Sequence, residues 1–286
     1  MTEVVNIESL RVLSQIFTPA SFKKVVREGD YSFFEKKISN HYSSHSATNN
    51  LQLIKKLYTE LEIYYRCEYI FKNKLFNEIL RKYSLQTTTT FSEFKVANSK
   101  ADLMLLNGCI KIFEIKTELD DLSKLKKQID DYQKIADEVN IVTDSKFISK
   151  LLNEYENTNV GIIEFTNKNS LKTYQKAHAV PSMYKFETLF KLLHKKEYLY
   201  LVERNFNFIP DVPNTKIFKV CYELLQNIDI VDFQKQILTI LKKRNIECPE
   251  ILMSKQTPSE LKHICYTLDL NSNEYEQLFN FLNKKI

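Results

Sequence analysis

The chain has 286 residues, of which 43% are hydrophobic and 27% charged, with a formal net charge of +5. Those fractions belong to a globular chain that buries a core, and they exclude a collagen, a low-complexity tract and a small disulfide scaffold. No apolar run reaches the roughly 18 residues of a membrane span and the start MTEVVNIESLRVL lacks the pattern of a signal peptide, so a cytoplasmic protein without a membrane is expected.

From Ile7 to Tyr65 apolar residues recur at helical spacing, as in Leu53, Ile54, Leu57 and Leu61, with breaks near Pro19, Gly29 and the polar run 43–50. A further helical pattern runs from Glu68 through Ile70, Phe71, Leu75, Phe76 and Ile79 to about Tyr83. The period then changes. Thr87 to Val96 is rich in β-branched and aromatic residues, Leu103 to Leu106 is a short apolar run, and Ile110 to Ile115 alternates, which predicts three strands. Helical spacing returns over 121–139, a strand follows at Val139 to Thr143, then a helix at Lys146 to Tyr155, a strand at Val160 to Phe165 and an extended segment at Leu171 to Ala177. From Lys185 the pattern is helical throughout, and Thr257-Pro258-Ser259-Glu260 reads as a helix start with an N-cap and a proline in the first turn. The expected organisation is an N-terminal helical segment (1–65), an α/β domain (66–181) and a C-terminal helical lobe (182–286).

Within the strand-rich stretch, Asp102, Glu114 and Lys116 form a constellation suited to phosphodiester hydrolysis. That chemistry needs acidic oxygens to hold a divalent cation and a cation to orient water or a phosphate oxygen. Glu114 and Lys116 are two apart on a predicted strand and so share a face. Asn107-Gly108 signals a hairpin between Asp102 and Glu114. A two-residue turn pairing Leu106 with Cys109 would put the two acids on opposite faces. A three-residue loop, Leu106-Asn107-Gly108 with Gly108 left-handed, pairs Leu105 with Cys109 and restores them to one face, so a three-residue loop or an equivalent bulge is expected.

The stretch SKADLMLLNGCIKIFEIKTELDDLSKLKKQIDDY resembles the core of PD-(D/E)XK nucleases, in which a helix precedes a three-stranded meander carrying Asp and then Glu-x-Lys. Gln128 and Tyr132 resemble the Q-x-x-x-Y motif of RecB-like members, and with YYRCEYIFKN and SEFKVANSKADL the likeness extends over about Leu51 to Asp144, to a largely uncharacterised bacterial group. Ala101 stands where the family name has Pro. The resemblance implies a restriction-endonuclease-like αβββαβ core, α/β (α+β) with a mixed sheet. It also implies a DNA-cleaving hydrolase dependent on Mg²⁺ or Mn²⁺, with Asp102, Glu114 and the Ile115 carbonyl as metal ligands. Lys116 would position water, Gln128 and Tyr132 would contact substrate or brace the site, and Glu68 on the preceding helix would complete the metal shell, with Glu78 and Glu93 as rivals. Phage defence or the immunity of a mobile element is the implied setting, and a catalytically silent nuclease-fold module that binds nucleic acid or protein is the alternative.

Lys124, Lys126 and Lys127 sit where they could meet phosphates, or they could line a solvated helix face. Lys242-Lys243-Arg244 reads as a helix C-terminus, where cations suit the dipole. The five histidines lack ligand spacing. The five cysteines lack a C-x-x-C pair and read as reduced packing residues. A homodimer through the helical lobe would suit cutting both strands of a duplex.

Overall fold

The computed structural model describes residues 6–42 and 47–286, so part of the predicted break at 43–50 lies outside the described residues. The chain divides into two compact units: Met1–Leu85 together with Ile246–Ile286, and Gln86–Asn245. This differs from the three consecutive segments read in the sequence. The helical C-terminal stretch is shared between both units, and the helix that opens the nuclease-like motif belongs to the first.

The first unit is helical. It contains α1 (Ile7–Ser14), α2 (Pro19–Lys23), α3 (Ser32–His41), α4 (Asn50–Tyr64) and α5 (Glu68–Lys82), followed after residue 245 by α12 (Pro249–Met253), α13 (Lys262–Leu268) and α14 (Ser272–Asn283). Apolar stripes on these helices meet in a core where Phe281 of α14 packs edge-on to Phe22 and Phe34, and Phe17 stacks on Tyr69. Buried polar side chains tie the distant pieces together. The Asn50 amide donates to the Phe281 carbonyl at 3.0 Å, and Asn73 donates to the Ser259 carbonyl at 2.9 Å while accepting from the His263 N–H at 3.1 Å. The predicted helix start at Pro258 is displaced: α13 begins at Lys262, and the turn before it offers its Ser259 and Glu260 carbonyls to Asn73 and Tyr69 instead.

The second unit holds a six-stranded mixed sheet in sequence order, β1 (Thr89–Val96), β2 (Ser99–Leu106), β3 (Ile110–Lys116), β4 (Glu138–Thr143), β5 (Val160–Phe165) and β6 (Leu171–Gln175). β1, β2 and β3 form an antiparallel meander, β3, β4 and β5 run parallel, and β6 returns antiparallel. Parallel neighbours need crossovers, which α6 (Leu125–Tyr132) and α7 (Ser145–Glu154) supply. Leu125, Ile129 and Tyr132 of α6, and Ile148 and Leu151 of α7, join Met104, Ile112, Val139 and Ile141 of the sheet in one buried cluster. The helix expected over 121–139 is much shorter. Asp121 turns back to accept from the Ser123 N–H at 3.0 Å, which delays the start, and the Asp137 carboxylate accepts from the Ile110 N–H at 2.7 Å, which draws the chain into β4.

Asp137 also receives the Tyr184 hydroxyl and the Gln234 amide, each at 2.8 Å. These bonds tie the segment before α8 (Phe186–Phe190) and α11 (Ile230–Leu241) to the start of β4, and with α9 (Lys195–Phe206) and α10 (Asn214–Leu225) these helices bury Phe190, Leu201, Cys221 and Phe233 in the same cluster as the sheet. No described helix is long and apolar enough to cross a membrane.

Candidate active site on the β1–β3 meander

The hairpin between β2 and β3 decides whether the acids meet. Leu106 pairs with Ile110 and Leu103 with Phe113, leaving Asn107-Gly108-Cys109 as the loop. The loop has three residues, as the constellation requires, but it is displaced from the Leu106-Asn107-Gly108 expected. Gly108 takes φ +71°, and the Asn107 amide donates to the Thr88 hydroxyl at 2.7 Å. Carried one residue further, the register sets Asp102 opposite Glu114. The two strands are tied there by the Ile115 N–H, which donates to the Asp102 carboxylate at 2.7 Å.

Glu114 is 2% exposed although it carries a carboxylate. Burial of such a group requires donors. Lys116, two residues along the same strand face, donates to Glu114 Oε1 at 2.8 Å, and the Tyr132 hydroxyl donates to Oε2 at 2.7 Å. Gln128 also donates to Oε1. Gln128 and Tyr132 lie one helical turn apart on α6, so one face of the helix presents both to the acid. Burial first, and then the charge and hydrogen bond of Glu114, push the Tyr132 hydroxyl far above the ordinary tyrosine range, so it remains a donor.

Two further attachments hold the strands around the site. The Thr143 hydroxyl donates to the Lys116 carbonyl at 2.8 Å where β3 and β4 end side by side. In the last turn of α6, beside Tyr132, Asp131 accepts from the Ser99 hydroxyl at 2.7 Å and from Lys134 at 2.6 Å. Burial raises the Asp131 carboxyl, but the hydrogen bonds from Lys134 and Ser99 outweigh it and hold the group below its ordinary range. Neither Thr143 nor Asp131 was marked by the motif, since each acts through backbone or turn contacts that the pattern does not encode.

Glu93 joins from β1. Ser92 pairs with Leu103 and Phe94 with Ala101, which puts Glu93 across from Asp102 and completes a row of three acids on neighbouring strands. One oxygen from each of Glu93 and Asp102 lies within 4.8 Å of the other. Two carboxylates this close could hold one hard divalent cation between them. Glu93 has φ +55° inside a strand, a conformation that costs a side-chain-bearing residue about 1–3 kcal/mol. Lys100 pairs with it at 2.6 Å. Glu68 and Glu78 belong to the first unit, where they pair with Lys72 and Arg81 on α5. Lys124, Lys126 and Lys127 are exposed at the start of α6.

A family model described as bacteriophage P4 protein cII matches residues 62–265. A curated relative, protein cII of Enterobacteria phage P4, is 28% identical over 179 residues. These are 60% of this chain and 66% of that relative's length. Among solved structures, a protein of unknown function from Silicibacter pomeroyi (SPO1766) matches at 18% identity over 47% of this chain and 89% of its own. Its TM-score is 0.28, too low to indicate a shared fold.

Proposed function

The chain belongs to the bacteriophage P4 protein cII family, and from that premise we propose that its sheet-bearing unit is a PD-(D/E)XK-type, metal-dependent nuclease acting on DNA. The observation that supports this reading most is the convergence of Lys116, Gln128 and Tyr132 on the buried carboxylate of Glu114, opposite Asp102. In this reading Asp102, Glu114 and the Ile115 carbonyl hold Mg²⁺ or Mn²⁺, with Glu93 beside Asp102. Such an ion supplies charge stabilisation at the scissile phosphate and a more acidic water. Lys116 exchanges its contact with Glu114 for one to the attacking water or a non-bridging phosphate oxygen. Gln128 and Tyr132 keep the Glu114 carboxylate oriented as that happens. The exposed lysines at the start of α6 take up flanking phosphates. A relative from a phage supports a setting in a mobile element or in phage defence.

One observation favours the second reading, a catalytically silent module of the same fold that binds nucleic acid or protein. The Glu114 carboxylate already accepts three hydrogen bonds, one from a lysine, and such saturation would equally suit a structural ion pair. Incubating the purified protein with linear, circular and single-stranded DNA in Mg²⁺, Mn²⁺ or EDTA separates the two. The nuclease reading expects cutting that EDTA abolishes and that Glu114→Ala loses. Absence of cutting on every substrate and with either metal transfers the assignment to the binding module.

A further inference from the structure

A second cluster of cations lies between the start of α9 and the end of α11. Lys196, Glu197 and Tyr200 on α9, Ile240 on α11, and Lys243 and Arg244 just beyond its end line a solvent-open cavity of about 230 Å³. Its walls are held by Arg244, whose guanidinium donates twice to the Glu197 carboxylate, at 2.8 and 2.6 Å, and once to the Leu192 carbonyl at 3.0 Å. That arrangement satisfies Arg244 and consumes the one acid of the lining. Lys196 and Lys243 make no ion pair among the described residues. Lys243 instead rests its ammonium 4.9 Å from the centre of the Tyr200 ring, and that residue is 42% exposed.

The placement of Lys196 runs against local helix electrostatics. It is the second residue of α9, behind Lys195, where the positive end of the helix dipole disfavours cations. Lys195 is bound by the Asn214 side chain. Glu197 in the first turn caps the helix by accepting from the His194 N–H at 2.6 Å, but Lys196 itself has no side-chain partner among the described residues, and an anion in the cavity would supply one. The cavity therefore offers two ammonium groups without an ion pair beside an exposed aromatic ring, one face of which lies under Lys243, with an apolar neighbour in Ile240. Cations that track a backbone beside a ring on which a base stacks are the two elements of single-strand recognition, and neither depends on sequence.

We infer that this cavity is a second nucleic-acid contact, taking one phosphodiester of a single strand on Lys196 and Lys243 and an adjoining base on Tyr200. The choice of nucleic acid as ligand rests on the proposed function. The contact itself needs no metal and no cleavage.

The test is equilibrium binding of a fluorescein-labelled single-stranded oligothymidylate to the whole protein in EDTA across a salt series. Lys196→Ala combined with Lys243→Ala is compared with Tyr200→Ala and Tyr200→Phe, all at exposed positions where the fold tolerates change. Loss of both lysines should weaken binding by roughly tenfold or more and lower the log–log salt slope by about 0.7, the value for the one single-strand phosphate they share. Tyr200→Ala should weaken binding at an unchanged slope, and Tyr200→Phe should bind as the parent does. Parental affinity and slope in the double-lysine variant would overturn the inference, as would a parent that binds no oligonucleotide. Cleavage in Mg²⁺ by the same preparation keeps the two ideas apart. Protein that binds through these residues but never cuts overturns the nuclease reading alone, whereas protein that cuts and is indifferent to the lysine changes overturns the cavity alone.

Discussion

A carboxylate as deeply buried as that of Glu114 is tolerated only where donors meet it, and here three side chains from two elements do. The Tyr132 contact is the cleanest to probe, because Tyr132→Phe removes one oxygen and leaves the ring in place. A hydrogen bond to a charged acceptor contributes about 1.5–3 kcal/mol, so the variant should lose that much stability to urea near neutral pH. The loss should depend on pH. The folded-state pKa of Tyr132 is raised above the value of about 10 for an unfolded tyrosine, so the stabilisation is complete below that pH and fades as pH rises above it. The gap between the parent and the Tyr132→Phe variant should therefore narrow by about pH 11, and an unchanged gap would show that Tyr132 does not hold its proton against Glu114. Lys116, Gln128 and Tyr132 were legible in the sequence because spacings of two on a strand and four on a helix determine which face a side chain joins. The strained backbone of Glu93 was not, since no local pattern sets a positive φ inside a strand.

At the scale of elements, parity governed what could be read. A hairpin that brings Asp102 and Glu114 to one face needs an odd number of loop residues, and the chain has three. Which three depends on the hydrogen bond from Asn107 to Thr88, a contact outside the hairpin, so the position of the loop escaped the pattern. The short α6 escaped for a similar reason, since the carboxylates of Asp121 and Asp137 end an apolar periodicity that by itself would continue. The parallel strands β4 and β5 leave another mark. A Cβ at Gly161 would fall 2.1 Å from the Asn140 side-chain oxygen and 3.0 Å from the Ala177 nitrogen. Gly161→Ala should therefore destabilise the protein by about 1–3 kcal/mol in thermal or urea unfolding. Adding Asn140→Ala should recover part of the loss, because it removes the nearer clash and leaves the backbone contact. A Gly161→Ala protein as stable as its parent would contradict this packing.

For the whole molecule, the sequence showed helices on either side of a sheet but not how they are shared. Helical periodicity identifies a buried stripe without naming its partner, and the partners of α13 and α14 lie some two hundred residues earlier, at Asn73 and Asn50. Truncation after Asn245 should accordingly leave the segment 86–245 protected in hydrogen exchange while the segment 1–85 loses protection. Equal protection of both would contradict the division into units. The nuclease assignment stands or falls on the acidic row and its lysine in the second unit. The measurement that decides it is single-turnover cleavage of DNA in Mn²⁺ by parent and Lys116→Ala protein, with Mn²⁺ affinity measured on the same samples. The expected rate for the variant is lower by about 10²–10⁴-fold, the scale of a positioned proton-handling group, with metal still bound through Asp102 and its neighbours. Cleavage by the variant at the parental rate would contradict the assignment.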